Sequence, residues 1–160
     1  MAPFSIRTLE EADRAWLRQF WQEHWGAGFM VLRGETIYPD TLPGFLAVQD
    51  SKIVGLATYA LHGETAELIS LDSLAPGQGV GAGLVDAVSA AARESGCQKL
   101  IVVTTNDNLN ALRFYQTHGF RLARLRPGAV TAARLIKPTI SEIGEFGIPI
   151  RDEIELEKDL

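Results

Sequence analysis

The chain has 160 residues, enough for one domain with a buried core. Its formal net charge of −5 offers no basic face of the kind that binds nucleic acid, and no apolar run is long enough to span a membrane. The opening residues, "MAPFSIRTLEEADR", lack the pattern of a secretory signal, and Cys97 is the only cysteine, which excludes an internal disulfide. The expected location is therefore a reducing cytoplasm.

Residues 2–9 read as a short strand with Phe4 and Ile6 on one face. Residues 8–26 read as a helix: Thr8 and Glu11 form a capping box, Leu9, Ala12, Trp16 and Phe20 make the apolar stripe, and Gly26 is the stop. Residues 28–44 combine extended positions with a loop. From Phe45 the period changes. "FLAVQDSKIVGLATYAL" is two apolar runs joined by a polar turn at residues 49–52, "HGET" is a second turn, and "AELISLDSL" is a third strand, so three strands form an antiparallel meander.

A glycine-rich loop follows, with Gly77, Gly79, Gly81 and Gly83 at alternate positions. A helix then spans residues 80–95, with Leu84, Val85, Val88 and Ala91 at helical spacing. "KLIVVTT" suits a buried strand, "NDNLNALRFYQTHGF" a short helix closed by Gly119, and "FRLARL" another strand. Residues 129–136 read as a short helix ended before Pro138, ahead of an irregular stretch rich in glycine and proline. The tail alternates Ile154 and Leu156 against Glu153, Glu155 and Glu157, a half-exposed final strand. Strands and helices mix, so the class is α/β or α+β.

Glycines directly before a helix suit a loop wrapped around phosphate, because backbone N–H groups converge there and the helix dipole favours negative charge. A P-loop would need Lys-Ser or Lys-Thr after the last glycine, and Leu84-Val85 stands there instead. Gly77-x-Gly79-x-x-Ala82 satisfies the dinucleotide fingerprint. It is preceded by a meander rather than a βαβ unit, however, and no acid follows at the required distance. A plain glycine-rich connector is the remaining alternative.

The stretch Gln78-Gly79-Val80-Gly81-Ala82-Gly83 resembles the Q/R-x-x-G-x-G/A signature of GNAT-type N-acetyltransferases, which holds the pyrophosphate of coenzyme A. Downstream, Asn108, Ala111, Tyr115, Gly119 and Phe120 resemble the N-x-x-A-x-x-x-Y-x-x-x-G-F segment of the same superfamily. The resemblance implies a single domain over residues 1–160, with 1–125 as the family core and 126–160 as an atypical C-terminal segment. It implies an α/β (α+β) fold: a mixed six- to seven-stranded sheet, an antiparallel meander and a central splayed parallel pair, flanked by helices. The pantetheine arm of acetyl-CoA would lie along Leu71, Asp72, Ser73 and Leu74, and its phosphates at Gln78, Gly79, Val80, Gly81, Ala82, Gly83 and Leu84, with Asn108 and Ala111 nearby.

The reaction so implied is acetyl transfer from acetyl-CoA to a primary amine by direct attack. The alternative is a non-catalytic acyl-CoA-binding regulatory domain. Tyr115 would donate a proton to the leaving thiolate. Glu67 is the expected base, with Asp72, or no protein base, as the alternatives. Their odd separation puts Glu67 and Asp72 on opposite faces of a regular strand, a count that a β-bulge would spoil. Asn106, Asn108 and Asn110 could each cap the following helix. The basic run Arg121, Arg124, Arg126, Arg134 and Lys137 reads as a solvated face, with contact to an acidic substrate group as the alternative. His24, His62 and His118 show no metal-ligand spacing, and no metal is expected. Trp16, Trp21 and Trp25 cannot share one helix face, so one of them would line the acceptor cleft. Residues 126–152 would lie on the acceptor side or at a homodimer interface.

Overall fold

A computed structural model describes residues 3–160. Of the expected first strand, Ala2 lies outside the described residues; within the remainder, β1 spans Ser5–Thr8. Thr8 belongs to that strand and caps nothing. The helix begins later. A single 3-10 turn (Glu11–Asp13) precedes α1 (Arg14–Trp25), and the Asp13 carboxylate accepts the Glu10 N–H at 2.8 Å. Asp13 wins because Arg7 holds it at 2.8 Å from the neighbouring strand, an anchor Glu11 lacks. Gly26 ends α1 in the left-handed region.

Residues expected only to be extended form a second, two-stranded sheet. Its strands β2 (Met30–Leu32) and β3 (Glu35–Ile37) are joined by Arg33-Gly34, both at positive φ (52° and 76°). This is the mirror-image turn that suits the twist of a tight hairpin. The meander follows as β4 (Gly44–Gln49), β5 (Lys52–His62) and β6 (Thr65–Ser73). Then come α2 (Val80–Glu94), β7 (Lys99–Thr105), α3 (Leu109–Thr117), β8 (Arg121–Arg126), α4 (Ala129–Ala133) and β9 (Glu153–Asp159). The last helix is shorter than the sequence suggested, giving way to turns before Pro138.

The main sheet has seven strands in the order β1-β4-β5-β6-β7-β9-β8. The final strand is interior, inserted between β7 and β8, and Leu156 at its centre is fully buried. One face packs on α2 and α3 through Ala57, Leu68, Val80, Leu84, Val88 and Leu100. The other packs on α1 through Leu17, Phe20, Trp21, Leu46 and Leu56. Removing this apolar surface from water is the main stabilising term.

Among the described residues, the only parallel pair in the main sheet, β6 with β7, sets up the site. The strands are in register from Thr65–Lys99 to Leu68–Val102 and then separate. At the point of separation β6 carries a bulge: Leu68 faces Tyr59 and Ser70 faces Thr58, leaving Ile69 over. Beyond the bulge the edge of β6 that faced β7 has no strand partner. Leu74 N–H bonds to Val54 O at 2.8 Å, so by alternation the backbone groups of Leu71 and Ser73 point into the gap.

Candidate active site

Three cavities meet around the separated strands. The first opens beside α2 and is lined by Leu71, Ser73, Gly81, Ala111, Phe114 and Tyr115; its volume is about 300 Å3. The second, about 160 Å3, lies in the gap itself between Ile69–Leu71 and Val102–Thr104, with Trp25, Asn108 and Tyr115 in its walls. The third, about 260 Å3, lies beyond, between the β2–β3 hairpin, β7 and α4. Leu71, Ala111 and Tyr115 are common to the first two; Met30, Val103 and Thr104 are common to the second and third. The result is a passage running from the N-terminus of α2 through the gap to the C-terminal segment.

The glycine loop stands at one end. Gly79 is the residue before α2, at φ 77°, and the N–H groups of Val80, Gly81 and Ala82 are left without acceptors inside the helix. The spacing of glycines has a second cause. A Cβ on Gly83 would press on Ile6 Cδ1 at 2.9 Å, so the helix start lies close against β1. Gln78 is turned to the Gln49 side chain at 3.2 Å, and Leu74, expected along the passage, is exposed in a separate groove beside Trp16, Phe20 and His24.

Tyr115 is placed by α3, whose cap is Asn108: its side chain accepts the Ala111 N–H at 3.1 Å. The other two candidate caps do not serve. Asn106 instead ties the C-terminal segment, donating to Pro149 O and accepting from Arg151 and Asp152 N–H. The Tyr115 ring packs edge-on against Phe114 and Phe120, at 5.2 and 5.3 Å between centroids. Tyr115 lines both of the first two cavities, and its hydroxyl bonds to no described residue. Burial, and secondarily the charge of Asp72, push the phenol well above its usual value, so the hydroxyl keeps its proton.

The bulge decides the placement of the carboxylates. Glu67 faces Ala60 and Asp72 faces Leu56, four residues apart on β5, so both lie on the face that carries α1. Glu67 is wholly buried, and its two oxygens take Arg33 Nη1 and Nη2 at 2.6 and 2.7 Å, with His62 Nε2 at 3.6 Å. Asp72 is held differently. Burial raises its carboxyl to about 6, opposed by the nearby Trp21 indole and His24. The indole does not complete a hydrogen bond: Trp21 Nε1 and Asp72 Oδ2 are both buried without a partner.

Of the three tryptophans, Trp25 is the one that lines the gap, while Arg33 and Glu153 belong to this region without being singled out by a motif. The Arg-Gly pair between two extended runs is a hairpin signal that could have located Arg33. His24 and His118 stack on Phe20 and Phe114. Among the described residues no cluster of histidine, cysteine and carboxylate is arranged to hold a metal ion, and no helix is long and apolar enough to cross a membrane.

Residues 10–120 match the Acetyltransferase (GNAT) family profile. An uncharacterized Bacillus subtilis protein, YdhI, is 42% identical over 149 residues, covering 92% of this chain and 93% of its own. Among solved structures, a GNAT family acetyltransferase from Elizabethkingia anophelis with acetyl-CoA bound superposes with a TM-score of 0.73 at 22% identity, covering 98% of each chain. A Bacillus subtilis acetyltransferase in complex with CoA gives 0.70 at 19% identity, covering 99% of each.

Proposed function

The chain belongs to the GNAT acetyltransferase family, and on that premise we propose that it transfers an acetyl group from acetyl-CoA to a primary amine by direct attack. The observation that carries this reading is the position of Tyr115, which lines both the cavity beside α2 and the gap between β6 and β7 and whose hydroxyl has no partner among the described residues. The acetyl-CoA and CoA bound in the two similar structures support the choice of acyl donor, and the unpaired edge of β6 supports the direction of entry.

The phosphates lie at the N–H groups opening α2, where the helix start supplies partial positive charge. The pantetheine arm runs beside Leu71 and Ser73, whose outward backbone groups bond to its amides as a further strand would. This brings the thioester beside Tyr115, with the amine arriving from the far side of the gap.

The amine nitrogen bonds to the acyl carbon and the carbon–sulfur bond breaks. The thiolate takes the proton of Tyr115, and the amine gives up its own to Asp72 through water. That proton then returns to the phenolate. Asp72 is the better base of the two carboxylates because one of its oxygens is unpartnered, whereas both oxygens of Glu67 are held by Arg33. Glu67 acts as a positioning residue: it fixes the turn of the hairpin that walls the acceptor side.

Thiol release from acetyl-CoA over a panel of primary amines tests the reading. Release that depends on the amine, with one N-acetylated product per thiol, is the expected result. A protein that binds acetyl-CoA but acetylates no amine would be a regulatory domain instead.

A further inference from the structure

The third cavity has an unbalanced wall. Met30, Leu32, Val103, Val130, Ala133 and Ile140 make most of it apolar, and its charged residues are Lys137 and Glu153. Glu153 is buried, and its two oxygens share the Arg33 backbone N–H at 3.2 and 3.3 Å. Lys137 gives one donor to Phe29 O at 3.0 Å, with its Nζ 5.4 Å from the Phe29 ring centroid. An ammonium has three donors, so two remain.

Of the other cations of its run, Arg124 is exposed on β8 and lines a different cavity, and the remaining three have partners. Arg121 is paired with Glu157 and Asp159, and Arg126 with Glu155. Arg134 is spent on the carbonyls of Ile140, Ser141 and Ile150. No ion pair joins Lys137 to any described carboxylate, Glu153 included. Burial lowers its pKa, the expected cost of a half-buried ammonium without a counter-ion. A ligand anion would relieve that cost.

The location gives this anion a role. The cavity shares Met30, Val103 and Thr104 with the gap where Tyr115 sits, so a molecule held at Lys137 extends towards the thioester. At about 260 Å3 it lies just below the usual range for small-molecule sites, roughly 300–1,000 Å3, and so suits only a small acceptor. We propose that Lys137 binds the carboxylate of the acceptor, and that the acceptor is therefore a small amino carboxylate with an apolar body, such as an apolar amino acid. The apolar body lies against Met30, Val130 and Ile140, and the amine points to the gap. The proposal rests on the acetyl-transfer reading above.

The test uses the CoA-loaded or acetyl-CoA-loaded protein with leucine and phenylalanine, set against isoamylamine and 2-phenylethylamine, which lack only the carboxylate. Binding is read by calorimetry and transfer by thiol release, for the wild type and for Lys137→Met and Lys137→Glu, with melting curves to confirm folding. The wild type is expected to prefer the amino carboxylates. Lys137→Met should raise their KM by about tenfold or more, the usual loss for a hydrogen bond to a charged group, and leave kcat and the decarboxylated amines unchanged. Lys137→Glu should abolish their binding. Equal use of both kinds of amine by the wild type, or an equal effect of Lys137→Met on both, overturns the proposal, as does failure of any amino carboxylate to bind. Lys137-dependent binding without thiol release would sustain the carboxylate site and sink the acetyl-transfer reading. Transfer to the decarboxylated amines alone would do the reverse.

Discussion

Arg33 grips Glu67 across 34 positions of sequence, its two terminal guanidinium nitrogens each donating to one carboxylate oxygen, at 2.6 and 2.7 Å. The same residue gives its backbone N–H to Glu153, 120 positions on. One turn residue at positive φ thus ties the small hairpin to the central strand and to the last strand of the sheet.

That pair makes the first prediction. Glu67 has no access to water, so Arg33→Met leaves a buried carboxylate without its counter-charge. The expected loss in stability is about 3–5 kcal/mol, read from urea unfolding midpoints at constant m. The double variant Arg33→Met with Glu67→Leu should recover much of it. A loss no larger than that of an exposed ion pair would mean that water reaches Glu67.

Tyr115→Phe removes a hydroxyl and keeps the ring packed against Phe114 and Phe120. It should lower kcat by about 10²–10⁴, the usual worth of a placed general acid. The thermal shift produced by acetyl-CoA should be unchanged, which separates proton donation from a packing role.

Asp72 controls a pH effect of definite sign. Its carboxyl titrates near 6 in the folded protein against 3.8 in a free chain, so the native state holds the proton more tightly. That preference favours folding below about pH 4 and is lost as the pH rises through about 6. Asp72→Asn should therefore stabilise the protein by roughly 1–3 kcal/mol at pH 8, with no gain at pH 3.5. The same variant should remove the rise of kcat with pH near 6. Glu67→Gln should leave that limb in place, and the comparison of the two profiles decides between the carboxylates.

Gly55 lies on β5 beneath the start of α2. A Cβ there would collide with Val80 Cγ1 and crowd Asp72 O and Leu84 Cδ1 at 3.1 Å each. Gly55→Ala should push the first turn of α2 off the sheet, costing about 1–3 kcal/mol of stability. CoA affinity should fall with it, while KM for the amine stays put. Titration with CoA, followed by calorimetry, checks this.

The parts of the site built from neighbouring residues were legible beforehand. The glycine-rich loop holding Gly79 before a helix, and an asparagine among Asn106, Asn108 and Asn110 capping the helix that carries Tyr115, are signals that span a few residues; the fold selects Asn108 as the cap. What escaped depends on contacts between distant segments. The capping box moved from Thr8 and Glu11 to Glu10 and Asp13 because Arg7, in the strand, claims Asp13. Parity placed Glu67 and Asp72 on opposite faces, and the single extra residue Ile69 reversed that. Lys137 reads in sequence as one of a basic run; the fold places it in the wall of the third cavity, bonded to Phe29 O and with no carboxylate to pair with.

The most direct test of the central claim is thermal unfolding with acetyl-CoA, CoA, NADH and ATP in turn. Stabilisation should appear with acetyl-CoA and CoA alone and grow with the logarithm of their concentration, as linkage to a single native-state site requires. Equal stabilisation by NADH or ATP, or none from either CoA ligand, would contradict the assignment of the passage between α2 and the separated strands.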